Sequence, residues 1–334
     1  MVHLNHSMTA ERLLRSKIGS ECADTILEGS VGYPVPLPIA GTGTSFVDGI
    51  IMPHMAGGGF SSLSDLIAEA SAGKQQQLWY QQTGVQTTAG TGESYWGFAG
   101  RPGPGRNPSA LPGGSVPDRT TVGVLGQDNP AGGETLHLVS AMVFSNTAGM
   151  IIVYDRLWDG AAAMNTTASQ SITGVPTRYT GTEAKGNVYW AAVRGVTGSA
   201  ALSATAHNLT FGYTDQDGNT GASSGALTGV ASAGLGRIDH PGWFAQFAAG
   251  DLGARALTSF QLSATIAAGQ LDLVLARPLI AVPMAGNNIP AVWDGVNNVF
   301  NLPQIKDNAA LALTSFKGTT ATSTISGCLV AVSG

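Results

Sequence analysis

From Arg119 to Gly334 the chain is a succession of short apolar runs, some alternating and some continuously apolar, with turn signals between them. Side chains of a strand alternate between two faces, so the period of two in the alternating runs predicts half-buried strands rather than helices. The runs are Thr135–Phe144, Met150–Tyr154, Val188–Val193, Thr205–Tyr213, Trp243–Phe247, Ala256–Thr265, Leu271–Val282, Ala309–Phe316 and Ser323–Val332. Between them stand Asp159-Gly160, Asp217-Gly218, Ala268-Gly269, Gly286-Asn287-Asn288 and Asp294-Gly295, whose residue types favour tight turns. No amphipathic stretch of three helical turns follows Ala70. Roughly nine or ten strands at this spacing predict a mainly β fold, an antiparallel β-sandwich or jelly roll over residues 119–334.

The chain before residue 119 is organised differently. Residues 1–60 read as an extended N-terminal arm. Thr9 can cap a short helix ending at Gly19, and Pro34, Pro36 and Pro38 then force an extended path without backbone donors. Ile50, Ile51, Met52 and Met55 are core-type residues with no core of their own, so the arm is expected to lie on a neighbour. Residues 61–118 read as a small helix-strand unit followed by a Gly/Pro-rich connection. Ser62 stands three residues before Asp65, Leu63, Leu66, Ile67 and Ala70 recur at helical spacing, and Gly73 is placed to end the helix. Gln75–Gln82 reads as a strand. The stretch from Gly84 to Pro117 is long for a connection, and part of it is expected to pack on a partner.

Composition narrows the function. Charged residues make up 11% of the 334 residues, against about 25% in an average soluble domain, while glycine reaches 46. The formal net charge is −5, and the sixteen Lys and Arg are scattered singly, so a phosphate-binding surface for nucleic acid is not expected. No run approaches the ~18 apolar residues of a membrane span. Met1–Ile18 has no apolar segment after Arg12, Arg15 and Lys17, so no secretory signal is expected. Cys22 and Cys328 form no metal-ligand pair and read as free thiols, although the sequence leaves open whether either bonds to a neighbouring chain.

The motifs that resemble chemistry fail on their context. Gly73-Lys74 is followed by Gln75, which breaks the phosphate-loop pattern, and Gly41-Thr42-Gly43 lacks its third glycine because Phe46 takes that place. Gly221-Ala222-Ser223-Ser224-Gly225 matches a nucleophile elbow as a string, but no helix pattern follows Ser223, and Asp239 and His240 are adjacent to each other. Asp215, Asp217 and Asn219 offer oxygens at alternate positions, yet Thr220 and Ala226 stand where a calcium loop needs Gly and Glu, so a hairpin turn is expected. His3, His6, His54, His137, His207 and His240 show no metal-ligand spacing, and His137 and His207 read as ordinary strand residues. Asp155 and Asp159 are the best pair for glycoside hydrolysis, with Trp158 as a sugar-stacking surface. The simpler reading makes Asp155 and Arg156 a local ion pair and Trp158 a core or interface aromatic. No catalytic, cofactor-binding or metal-binding residue is therefore assigned, and no cofactor is expected.

Low charge, small residues and Pro/Gly-rich arms suit a surface covered by copies of the chain or by a partner, because charge is depleted at interface centres. The segments Gly149–Leu157, Tyr213–Gly221 and Leu273–Leu279 resemble a group of tailed-bacteriophage virion proteins. That resemblance runs from Leu63 to the C-terminus and leaves out residues 1–60. It implies a non-enzymatic virion component on a β-rich scaffold, with no catalytic residues to carry over. A capsid decoration or cement protein, assembled in the host cytoplasm and bound to the major capsid protein or neighbouring virion subunits as a homo-oligomer, is the expected role. The alternative is a tail or fibre adhesin that contacts host glycans through Trp158 or Trp243.

Overall fold

The alternation in the second half of the sequence becomes sheet almost wherever it is predicted. The structure is a computed structural model that describes residues 45–47, 50–52, 59–86, 91–196, 198–297, 302–318 and 322–334. Met1–Gly57 and Gly58–Gly334 are two units. In the first, β1 (Ser45–Val47) and β2 (Ile50–Met52) pair antiparallel. Apart from Gly59 and Phe60, the rest of the expected arm over residues 1–60 lies outside the described residues, as do Cys22 and the predicted helix after Thr9.

The second unit begins with α1 (Leu63–Glu69), which starts as the sequence predicts: Ser62 Oγ accepts from the Asp65 backbone N–H at 3.1 Å. One wide turn over Ala70–Lys74 follows, and Gly73 takes a left-handed φ of 86°, a conformation that glycine adopts without strain. The strands then run β3 (Gln75–Gln86), β4 (Thr91–Ser94), β5 (Gly100–Arg101), β6 (Leu136–Ser145), β7 (Ala148–Ala161), β8 (Gln170–Ser171), β9 (Val188–Val193) and β10 (Asn208–Asp215). After these come β11 (Ala222–Ser223), β12 (Leu227–Thr228), β13 (Ala254–Leu262), β14 (Leu271–Ala285), β15 (Ala291–Asp294), β16 (Gln304–Ile305), β17 (Leu311–Lys317) and β18 (Thr322–Ser333). The named strands form antiparallel ladders throughout. The first sheet has the order β15-β6-β18-β3-β5, with β16 also on β6. The central sheet is β4-β17-β7-β14-β9, and the third is β11-β10-β13-β8, with β12 also on β10.

The central sheet joins two sandwiches through its longest strands. β7 and β14 pair from Ala148↔Ala285 to Ala161↔Asp272, with register shifts at Leu275/Ala276 and Pro278/Ile280. Pro278 has no N–H to donate and sits at the second shift, where the ladder is already interrupted. Because each extra residue changes which side the following ones face, Leu271, Leu273 and Leu275 pack on the third sheet while Ile280, Val282 and Met284 pack on the first. The first core holds Leu157, Trp158, Tyr189, Phe211, Tyr213 and Phe260, and the second holds Leu138, Val143, Val153, Leu313, Ile325 and Leu329. On the opposite face of the central sheet, Trp96, Tyr154, Trp190 and Ile238 form a third cluster.

One expectation changes. Trp243–Phe247 is not a strand. Its one ladder-like bond runs from Ala245 N to Tyr189 O, and its rings pack instead: Trp243 on Phe316, Phe244 on Trp190, Phe247 on Tyr189 and Tyr213. The described part of the Gly84–Pro117 connection is not a plain loop but packs on its own chain. β4 extends the central sheet beside β17, Tyr95 and Trp96 are buried, and Ser115 and Asp159 exchange both backbone bonds. Within Gly58–Gly334, β3 pairs with β18 along nearly its whole length.

Leu329, fully buried between β3 and β6, fixes the centre of the second core. Leu329→Ala is expected to lower stability by about 2–5 kcal/mol in urea unfolding, whereas Ile67→Ala, at a residue 55% exposed on α1, should change it by less than about 0.5 kcal/mol.

Candidate functional site

The densest polar chemistry gathers around Tyr154–Asp159 on β7. Neighbouring strand residues point to opposite faces, so Asp155 and Arg156 do not pair with each other, contrary to the local ion pair expected from sequence. Asp155 lies on the side of Val153 and Leu157, between the two cores. Arg178 grips it at both oxygens, Nε to Oδ2 and Nη2 to Oδ1, each at 2.8 Å, and the Ala310 N–H donates to Oδ1. The remaining Nη2 bonds of Arg178 go to the carbonyls of Pro117 and Arg156.

Arg156 projects to the other face. Leu157 is the extra residue at the first register shift, and it returns Asp159 to the face of Arg156, which a regular strand would not do for residues three apart. Arg156 Nε then donates to Asp159 Oδ2 at 2.8 Å, and Arg106 Nη2 donates to Oδ1 at 3.0 Å. The Arg156 guanidinium lies 4.2 Å over the Trp96 ring. Beside it Arg194 binds Asp272 with a shortest contact of 2.6 Å, and burial pushes the Asp272 carboxyl upward against the pull of that arginine. Trp96, Arg156, Arg194 and Asp272 border a cavity of about 10 Å³, which is room for one water and not for a sugar ring.

Trp158 is 1% exposed, with its indole N–H donating to Gly113 O. A Cβ on Gly114 or Gly174 would come within 2.2 Å of the indole, so glycine is needed at both places to let the backbone close over it. Trp158 is thus a core residue, and the sugar-stacking role and the hydrolytic pair Asp155/Asp159 have no access to solvent. Trp243 is half-buried against Phe244 and Phe316.

Other candidates are also engaged by the fold. Ser223 Oγ accepts from Gly225 N, and no helix follows it. Asp239 is bound to His207 and to the Val230 N–H, while His240 Nδ1 donates to Pro241 O, so Ser223, Asp239 and His240 do not form a triad. Asp215 closes its own hairpin: Oδ1 accepts from Asp217 N and Asn219 N, and Oδ2 from the Asn219 amide. Among the described residues no three His, Cys, Asp or Glu side chains gather as a metal site. No helix of the described residues is long and apolar enough to cross a membrane.

Two buried pairs carry no sequence signal, since their partners are far apart in the chain. Glu93 on β4 meets Lys317 on β17 at 3.2 Å, and burial outweighs the ammonium, raising the Glu93 carboxyl to about 7 and lowering Lys317. His207 is buried with Nε2 at 2.7 Å from Asp239 Oδ2 and Nδ1 at 2.9 Å from Thr205 O. Both partners can accept, so the site favours the doubly protonated ring. The Asp239 hydrogen bond raises its pKa against the opposing effect of burial. His137, between Thr135 Oγ1 and Leu302 O, goes the other way, lowered by burial.

No family model matches the chain, and no curated protein matches it. Among solved structures it is similar to a chain of the infectious bursal disease virus Gt strain, at 11% identity over 78% of this chain and 81% of that one, with a TM-score of 0.14. A second is the VP2 subviral particle of the same virus, at 10% identity over 77% and 80%, with a TM-score of 0.15. Superpositions at these scores do not establish a shared fold.

Removing one member of a buried ion pair leaves an uncompensated charge. Arg178→Met is therefore expected to cost about 3–5 kcal/mol in urea unfolding, and Asp155→Asn, which keeps the shape but breaks the charge pair, should also destabilise clearly. For His207 the raised pKa means that its stabilising contribution is complete below the ordinary value of 6.5 and fades as pH rises through the elevated folded value. The stability difference between the native chain and His207→Gln should accordingly shrink from pH 6 to pH 9, which urea melts across that range will measure.

Proposed function

We propose that the chain is a structural component of a virus particle, and within that class a capsid decoration or cement protein held by its own copies and by neighbouring shell subunits. The observation that carries the reading is where the charge goes. A chain with only 11% charged residues places Glu93, Asp155, Arg156, Asp159, Asp239, Asp272 and Lys317 inside, each bound to an opposite charge or, for Asp239, to His207. The groups that looked most like catalysts serve as internal ties, which leaves an already charge-poor chain with fewer charges still for its outer faces. Surfaces of that kind suit contact with other subunits, whose interface centres are poor in charge. The resemblance of Gly149–Leu157, Tyr213–Gly221 and Leu273–Leu279 to tailed-phage virion proteins points to the same class.

The adhesin alternative depended on exposed aromatic side chains. The burial of Trp158 removes one of its two named contacts, and Trp243 is already packed on two rings, so the shell reading is preferred.

On this reading residues 1–60 anchor the protein, and purified particles should carry it over the shell. Particles lacking the protein should lose integrity at a lower temperature, and deletion of residues 1–60 should reduce its occupancy. Particle imaging and thermal release of nucleic acid measure both. Density confined to a tail, or full occupancy without residues 1–60, would count against the assignment.

A further inference from the structure

The outer face of the first sheet has one covered end and one open region. At the covered end, Phe60 packs edge-on against His137 at 5.7 Å, and His137 and Val332 are buried. Beyond it, the register lines up a row across four strands: Trp79 on β3, Cys328 on β18, Met142 on β6 and Val292 on β15. Directly paired residues share a face, so these four side chains form one apolar ridge. Trp79 is 51% exposed and Val292 62%, while Cys328 between them is 6% exposed. The flanking rows are Gln77–Val330–Ser140–Asp294 and, continuing onto β5, Arg101–Gln81–Ser326–Phe144; their two charged residues, Asp294 and the exposed Arg101, both stand at sheet edges. The Asp294 carboxylate already accepts from Val296 N, Asn297 N and the Asn297 amide.

We propose that this face binds the same face of a second copy of the chain, about a two-fold axis parallel to the strands and midway between β18 and β6. That operation exchanges β3 with β15 and β18 with β6. Trp79 then lies over Val292 of the partner subunit, and Cys328 lies over Met142 of the partner subunit. Each large side chain thus meets a smaller one, and sheets stacked this way keep their strands nearly aligned. Asp294 faces Gln77 of the partner subunit, so the only carboxylate of these rows meets an amide donor instead of a like charge. A closed pair of this kind is self-complementary, as a two-fold interface must be. It also covers the apolar ridge without burying an unpaired charge.

Three rows on four strands cover roughly 400 Å² per copy from ordinary strand spacings, which is below the about 800 Å² of a standard interface. The pairing is therefore weak and is read in the micromolar range. It goes beyond the shell reading and does not rest on it.

Sedimentation equilibrium of the full chain, from about 5 to 200 µM, tests it. The native chain should show a concentration-dependent dimer. Trp79→Lys and Val292→Glu should each weaken dimerisation about thirtyfold or more, because the aromatic contact is lost or a charge is left unpaired. The double variant W79K/V292E should regain dimerisation, since each lysine then meets a glutamate of the partner subunit. Val175→Glu, at an exposed position on no strand of this sheet, should leave dimerisation unchanged. Circular dichroism and melting of every variant separate dissociation from misfolding. A native chain that stays monomeric at 200 µM overturns the proposal. So does a double variant that melts like the native protein yet fails to re-associate, or an equal loss in Val175→Glu.

Discussion

Bringing Asp155 and Arg178 out of water together is the step on which the architecture turns. The pair lies where the two cores meet on one side of the central sheet, and a charge there without its partner would be strongly unfavourable. Arg178 meets both carboxylate oxygens and two backbone carbonyls, so its donors tie the segment after β8 to Pro117 and to β7 at once. The Ala310 N–H, donating to the same carboxylate, adds the approach to β17. One carboxylate thus sets the relation of three chain segments that hydrophobic burial, which has no direction, would leave free to slide.

The register shifts in β7 and β14 do comparable work through backbone geometry. Without the extra Leu157, Arg156 and Asp159 would face opposite sides and the buried pair over Trp96 could not form. Without the shift at Pro278, β14 would offer one side chain parity to both sandwiches, and either Leu271, Leu273 and Leu275 or Ile280, Val282 and Met284 would face the wrong layer. A single long hairpin can serve two cores only because its pleat is interrupted at these places.

How much was legible follows from the range over which each signal acts. Strand alternation, turn residues and the Ser62 cap are local, and β6, β9, β10, β13, β14, β17 and β18 lie close to where periodicity puts them. β4 was missed because Thr91–Ser94 has no apolar alternation and is a strand only through its pairing with β17. Trp243–Phe247 was misread because its aromatic residues are satisfied by rings rather than by a ladder. At the site, the Tyr154–Asp159 motif stood out, but its pairing could not be read. Asp155 finds Arg178 and Asp239 finds His207 across the tertiary fold, and nothing in the local spacing announces either. The depleted charge was visible from composition alone, whereas the burial of Glu93, Asp155, Arg156, Asp159, Asp239, Asp272 and Lys317 was not.

The position of β18 has a consequence for biogenesis. This strand, Thr322–Ser333, lies between β6 and β3, partners that leave the ribosome long before it does. Until it arrives, β3 and β6 have no central strand to pair with, and the apolar residues of the second core stay exposed for most of synthesis. Such non-local pairing is slow, and unpaired edges of this kind invite association with other chains. The first sheet therefore closes last, and a nascent chain crowded among its siblings is most vulnerable at the same surface that Leu329 and Ile325 finally seal.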